Sequence, residues 1–297
     1  MPALPPKKVI VTGSAGILGR ALVREMSGAG FSVRGLSHAD LDVADLEAVR
    51  AALGRHRPDV VVNCAAYTDV DGCEKEERLA FLVNGIGAKN VALAAAELGA
   101  SPVHVSTDFV FDGEKGSPYE EFDATRPLSV YGRSKLLGEF LVREAAARFA
   151  IVRTQWLFGL GGRNFVDSIL KAAAEKGELR VVDDQRGCPT YAPHLARQIR
   201  LLVEANARGT YHAAGHGVVS WFEFASRIVA AAGLKTKIVP IASSELKRPA
   251  RRPAYSALRN LHLDLTLGDE MRPFEEGLDA YVAERATAAA AGRESGS

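Results

Sequence analysis

Neither sign of charge dominates this chain: 37 Lys and Arg face 36 Asp and Glu in 297 residues, a net charge of +1. That balance removes the electrostatic basis for neutralising a nucleic-acid backbone or an anionic membrane, so neither is an expected partner. Cysteine is scarce. The three present, Cys64, Cys73 and Cys188, lack paired metal-ligand spacing, and their odd number with no signal-like N-terminus points to reduced thiols in the cytoplasm and to no structural metal. No apolar run approaches the roughly 20 residues of a membrane span, and internal repeats and long linkers are absent. Apolar content, by contrast, is ample at 47%, enough to fill the core of about two domains or of one large α/β unit.

The run Lys8-Val9-Ile10-Val11-Thr12 reads as a buried strand, followed by helical periodicity from Ile17 until Gly28 and Gly30 stop it. Further strands are expected at 31–36, 60–63, 103–106 and 151–153, with helices at 45–55, 78–98 and 130–148. This alternation predicts an α/β fold, a Rossmann-like doubly wound parallel sheet whose ligand lies across the carboxyl ends of the strands. Beyond Arg153 the regularity loosens into a Gly-rich turn, a helix from Asn164, a strand near 179–182, a helix at 192–205 and a strand at 210–213. The expected division is a dinucleotide-binding domain at 1–155 completed by 190–214, a smaller substrate-binding lobe at 156–189 and 215–285, and a helix end fraying into a disordered tail at 286–297.

Gly13, Gly16 and Gly19 stand three apart between the first strand and the first helix. Such glycines permit a tight turn and let the backbone and helix N-terminus approach a pyrophosphate. A tight βα connection would also use them, but the surrounding βαβ pattern favours nucleotide binding. The second strand ends in Arg34-Gly35-Leu36-Ser37-His38 and lacks the acidic residue that would grip a ribose 2′-hydroxyl and repel a 2′-phosphate. This favours NADP(H) over the alternative NAD(H), with Arg34 or His38 either meeting the phosphate or lying solvated on the surface. Asp42, followed by Val43, is a candidate for the adenine edge or an N-cap for the next helix.

Tyr131 and Lys135 stand four residues apart, downstream of a Ser106-Thr107-Asp108 run. On a helix these positions share one face. The Lys135 ammonium would then favour the Tyr131 phenolate and make the phenol a usable proton donor and acceptor near neutrality. Thr107 would hydrogen-bond a reacting carbonyl, as carbonyl reduction requires. The plain alternative, an exposed Tyr/Lys helix face, is outweighed by the rest of the chain.

From Lys8 to Leu278 the sequence resembles the extended short-chain dehydrogenase/reductase superfamily and, more closely, the dTDP-4-dehydrorhamnose reductase family. The resemblance rests on the residues from Gly13 to Gly19, Asn63-Cys64-Ala65-Ala66-Tyr67-Thr68, Ser106-Thr107-Asp108-Phe109-Val110-Phe111, the run from Tyr131 to Lys135, Arg153-Thr154-Gln155-Trp156-Leu157-Phe158-Gly159, Asp184-Gln185-Arg186-Gly187-Cys188-Pro189-Thr190, and Arg252-Pro253 with Ser256. It implies hydride transfer from reduced nicotinamide to C4 of a dTDP-linked 4-keto-6-deoxy sugar, yielding dTDP-L-rhamnose. Tyr131 matches the proton donor, Lys135 the residue that tunes it and holds the nicotinamide ribose, and Thr107 the carbonyl partner. Gly16, Ile17 and Leu18 match the pyrophosphate turn, and Ala65, Ala66, Tyr67 and Thr68 match the cofactor loop after the third strand. Asp108 and Trp156 match sugar-site positions, with Arg252 placed to reach the diphosphate and Asn164 and Arg186 as further substrate candidates. Asn84 either holds an active-site water or is a satisfied interior amide.

The chain also departs from this pattern. Some bacterial members pair through magnesium held by glutamates, whereas Ala21 and Pro193 or His194 stand in those places, so a homodimer would not be metal-bridged. Gln155 replaces a small hydroxyl residue before the tryptophan, and Cys64 sits where alanine is common. The resemblance extends to the NADP-binding regulatory β subunit of methionine adenosyltransferase and to reductases or epimerases of other nucleotide-linked keto sugars. The combination of Thr107, Tyr131, Lys135 and Trp156 favours an enzyme.

Overall fold

The computed structural model describes residues 6–294, with side chains described to residue 287. Strands β1 (Lys8–Thr12), β2 (Ser32–Leu36), β3 (Val60–Asn63), β4 (Ser101–Thr107) and β5 (Ala150–Thr154) come first in the chain. Then follow β6 (Leu157–Phe158), β7 (Glu178–Val182), β8 (Arg186–Gly187), β9 (Thr190–Tyr191), β10 (Gly209–His212), β11 (Val219–Ser220) and β12 (Lys237–Ile241). Six of these form one parallel sheet in the order β10-β5-β4-β3-β1-β2. The chain goes outward from β1 to β2 and then resumes at β3 on the opposite side of β1. The carboxyl ends of β1 and β3 therefore flank the switch point at which doubly wound sheets take their ligands.

Period-two alternation explains why both faces are covered. Val9, Val11, Val60, Val62, Val103 and Val152 face the helices Ile17–Gly28 and Ala192–Glu204, where Leu22, Met26, Leu195 and Ile199 are fully buried. Ile10 and Val61 face the other way, onto Val49 and Leu53 of the helix Leu46–His56 and Val91 of Ala88–Glu97. Each large apolar side chain removed from water contributes about 1.5–3 kcal/mol before conformational entropy is charged against it.

One long helix corrects the expectation about apolar runs. The 21 residues Glu77–Glu97 are long and apolar enough, by length and composition, to cross a membrane, yet 56% of the apolar window is buried inside the protein. The helix packs against Val130–Ala145, and its middle, Phe81–Gly87, is wound as a π-helix. A second apolar core forms where β7 pairs with β12 and where helices Phe165–Glu175, Trp221–Ala231 and Phe274–Glu294 bring together Val166, Ile169, Phe224, Ile228, Phe274 and Tyr281. That last helix runs on through residues 286–294, where a disordered tail is expected from the sequence; residues 295–297 lie outside the described part.

Candidate active site

The turn after β1 is fixed by close approach. Gly13 has φ of +65°, and a Cβ there would meet the backbone of Cys64 and Ala65 at 2.7–2.8 Å. A Cβ on Gly19 would stand 2.3 Å from the Gly13 carbonyl oxygen. The helix Ile17–Gly28 opens with neither a side-chain cap nor an acidic residue in its first turn. Its leading amides thus face the cleft as an anion site, as the dipole favours.

The loop after β3 is held from both sides. Asn63 accepts from Thr12 Oγ1 (2.7 Å) and from the Ala65 amide (3.1 Å). Asn84, in the π-wound turn, accepts from the Tyr67 amide (2.8 Å) and donates to the Tyr67 carbonyl (3.0 Å) and to Ser134 Oγ (2.9 Å). Ser134 in turn donates to the Tyr131 carbonyl (2.8 Å). Asn84 is thus a satisfied amide that clips the 65–68 loop to the helix carrying Tyr131, at the kind of π-turn often found beside functional sites.

Ser129 caps that helix, Val130–Ala145, by accepting from the Gly132 amide. Tyr131 and Lys135 share its cleft-facing side with Thr107 and Asp108 opposite, at the end of β4. Lys135 is buried, and desolvation lowers its pKa to about 8 against the opposing influence of Glu139. It donates to the Val105 carbonyl (2.6 Å), leaving two ammonium N–H groups for other partners. Glu139 lies one turn further along; burial raises its pKa, but Arg153, Ser106 and Arg143 outweigh this and hold it below the usual carboxylate value.

The expected depression of the Tyr131 phenol is not found. Burial pushes its pKa up, Asp108 and Cys73 push it further, and Thr107 acts in the other direction. The Lys135 ammonium is instead engaged with Val105. Asp108 itself is 1% exposed and raised to about 6, chiefly by burial. Thr107 Oγ1 donates to Asp108 Oδ1 (2.9 Å) and accepts from the Phe109 amide (3.2 Å).

Trp156, just after β5, adopts φ of +45°, a left-handed conformation that bulky residues avoid and that recurs at ligand sites. Its ring stacks on Trp221 with centroids 3.4 Å apart and planes 8° from parallel. Gly187 makes room for it, since a Cβ there would lie 2.5 Å from Trp156 Cε2 and 2.8 Å from Gln155 Oε1. This explains the glycine in the Asp-Gln-x-Gly-x-Pro-Thr run.

A cleft of about 790 Å³ brings together Gly13, Gly16, Ile17, Leu18, Gly19, Asp42, Val43, Ala65, Ala66, Thr68, Thr107, Asp108, Tyr131, Lys135, Trp156 and Arg252. It also takes in His38, while Arg34 is exposed outside it. A second cavity of about 640 Å³, lined by Arg180, Arg248, Arg251 and Ser243 among others, shares Phe109, Trp156, Trp221 and Arg252 with the first.

Some expected residues stand elsewhere. Tyr67 turns its ring toward Gly72 and contributes only its backbone to the loop. Asn164 caps the helix Phe165–Glu175 and spends its amide on Gly159, Asp167 and Tyr281, outside both cavities. Arg186 pairs with Glu223 at 3.2 Å and lines neither cavity. Asp42 does line the cleft and accepts from the Ala44 amide, while Asp45 is the cap of the helix Leu46–His56. Arg252 does line the cleft, but as a bidentate partner of Asp71 (2.9 and 3.1 Å), whose carboxyl it holds below the usual range. Trp221 and Asp71 were not anticipated. The signal for Trp221 was its position at the start of an amphipathic helix with a Ser220/Glu223 capping box, as the chain's second tryptophan.

The chain matches the family model described as the RmlD substrate binding domain over residues 7–287. It is 44% identical over 281 residues to the spore coat polysaccharide biosynthesis protein SpsK of Bacillus subtilis, covering 95% of this chain and 99% of that one. It is 43% identical over 259 residues to a dTDP-4-dehydrorhamnose reductase of Mycobacterium tuberculosis, covering 85% and 84% of the two chains. The crystal structure of a dTDP-4-dehydrorhamnose reductase from Bacillus anthracis in complex with NADP superposes with a TM-score of 0.92 at 39% identity, over 94% of this chain and 99% of that one. With its parallel sheet, glycine turn and Tyr131/Lys135 helix, this chain belongs to the RmlD family, that of the dTDP-4-dehydrorhamnose reductases.

Proposed function

We propose that this protein is an NADPH-dependent reductase of dTDP-4-dehydro-6-deoxy-L-mannose, forming dTDP-L-rhamnose. The observation that carries the reading is the convergence of Thr107, Tyr131 and Lys135 on one cleft, between a glycine turn built for phosphate and a wall formed by Trp156. The cofactor fits the residues present: a side chain on Gly13 or Gly19 would close the cradle, and the first helix offers uncapped amides with no competing acid. His38 in the cleft and the lack of an acidic residue at the end of β2 favour the 2′-phosphorylated form, with NADH the weaker donor.

When bound, the reduced nicotinamide supplies the hydride. The Tyr131 phenol, kept neutral by its burial, gives its proton to the ketone oxygen as negative charge develops there. The Thr107 hydroxyl, which now donates to Asp108, turns to the same oxygen as charge develops there. Lys135, anchored on Val105, has two donors left with which it would hold the nicotinamide ribose. Trp156 and Trp221 bound the apolar side of the deoxysugar, and the arginines of the second cavity suit a nucleotide diphosphate. Three unpaired thiols suit a cytoplasmic enzyme.

The test is consumption of NADPH, and separately of NADH, with enzymatically generated dTDP-4-dehydro-6-deoxy-L-mannose, and identification of the product by NMR. Turnover to dTDP-L-rhamnose with NADPH preferred is the expected result. NADPH binding without turnover would move the reading to another keto sugar or to a regulatory subunit, and inversion without net cofactor consumption would make the protein an epimerase.

A further inference from the structure

Among the buried carboxamides, Gln155 stands apart. Asn63, Asn84, Asn90, Asn164, Gln198 and Asn260 each make at least two hydrogen bonds. Gln155 is 3% exposed, and neither its oxygen nor its nitrogen has a partner among the described residues. A neighbour on the cleft wall shares this condition: Thr154 Oγ1 at the end of β5 is also buried and has no partner among the described residues. Leaving such a group unmet costs about 1–3 kcal/mol, and folded proteins tolerate it where a partner arrives later.

The position says what that partner is. Gln155 lines the same cleft as Thr107, Asp108 and Tyr131, and its oxygen packs beside the bare backbone of Gly187 next to the Trp156 indole. It therefore lies beside the aromatic wall, in the cleft that also holds Tyr131. A carboxamide donates and accepts at once, which matches two adjacent hydroxyls, one giving and one receiving.

We infer that Gln155 is a specificity-determining residue that pairs with ring hydroxyls of the sugar, selecting nucleotide-linked keto sugars that keep a vicinal diol beside the ketone over their deoxygenated counterparts. The identity of the ligand rests on the reductase reading above. The amide is closed to solvent in the empty cleft and turns to the hydroxyls as the sugar enters, so a sugar lacking one hydroxyl leaves it unpaired in the complex.

The test uses Gln155→Met and Gln155→Leu, which fill the space without hydrogen bonding. Binding of dTDP-L-rhamnose and of dTDP alone, each with NADP present, is measured by calorimetry, alongside kcat/KM for the keto sugar and for its 2-deoxy counterpart. Both variants should bind dTDP-L-rhamnose about tenfold more weakly, hold dTDP within about twofold, and lose most of the preference against the 2-deoxy sugar. Unchanged affinity for dTDP-L-rhamnose, or equal weakening of both ligands, overturns the inference. So does a variant that melts well below wild type, because the amide would then be paired inside the protein. A wild-type protein that binds dTDP-L-rhamnose but reduces no keto sugar defeats the reductase reading alone, and the two binding ratios still decide the role of Gln155.

Discussion

Two groups of buried polar side chains flank the cleft, and they are kept in opposite condition. On the glycine-turn side Thr12, Asn63, Asn84 and Ser134 are joined to one another or to nearby backbone, and only His104 Nε2, behind Asn63, is without a partner among the described residues. On the tryptophan side Thr154 Oγ1 and both ends of Gln155 have no partner among the described residues. A completed network holds its loops in place whatever is bound, whereas an incomplete one reaches its lowest free energy only in a complex. The first group is therefore scaffold and the second a receptor, although the residue types are much the same.

Tyr131 stands between the groups, and its loss should have the largest effect. Tyr131→Phe is expected to lower kcat by about 10²–10⁴-fold while melting temperature and NADPH affinity stay at wild-type values; retained turnover would remove the phenol from the mechanism. Asn84→Ala strips partners from Tyr67 and Ser134 on the completed side. It should destabilise by about 1–3 kcal/mol in urea unfolding, and an unchanged midpoint would dissolve the distinction drawn here.

The buried ammonium gives a subtler comparison. The pKa of Lys135 falls from 10.5 to about 8 on folding, so the unfolded chain holds more of its protons between those values and this group makes stability rise with pH across that window. The cysteines raised by burial act oppositely above the ordinary thiol value of 9.0, so the readout is the difference between wild type and Lys135→Met at about pH 7.5 and 9.5. The wild type should gain relative to the variant at the higher pH, and parallel behaviour would mean that the ammonium is well solvated. Thr154→Val should be the mildest. Replacing an unpaired hydroxyl by a methyl group is expected to cost no more than about 0.5 kcal/mol of stability, and a larger loss would show that the hydroxyl has a partner in the folded state.

The contrast also marks how far the sequence could be read. The alternation of strands and helices, the glycine turn and the Tyr131/Lys135 face follow from periodicity and spacing, which are local properties. Asn164 and Arg186 misled because polar residues near a site also serve as caps and surface ion pairs, and nothing in their own neighbourhood separates the uses. The partner of Arg252 was hidden for the opposite reason: Asp71 lies far away in sequence and meets it only through the fold. The phenol's pKa was misjudged because helical spacing places Lys135 beside Tyr131 but says nothing of Val105, which takes the ammonium's hydrogen bond. Whether a buried amide is satisfied is likewise a property of three-dimensional surroundings, so Gln155 reads from sequence as a substitution and from structure as an unmet valence.

The face-to-face indoles have a spectroscopic consequence. The chain carries two tryptophans, and both belong to this stack. Transition dipoles held this close couple strongly, so near-ultraviolet circular dichroism should carry an exciton signature arising at one address in the molecule. Trp156 follows β5 and Trp221 opens a helix of the second core, which makes that signal a gauge of the junction between the two cores, available without any introduced label.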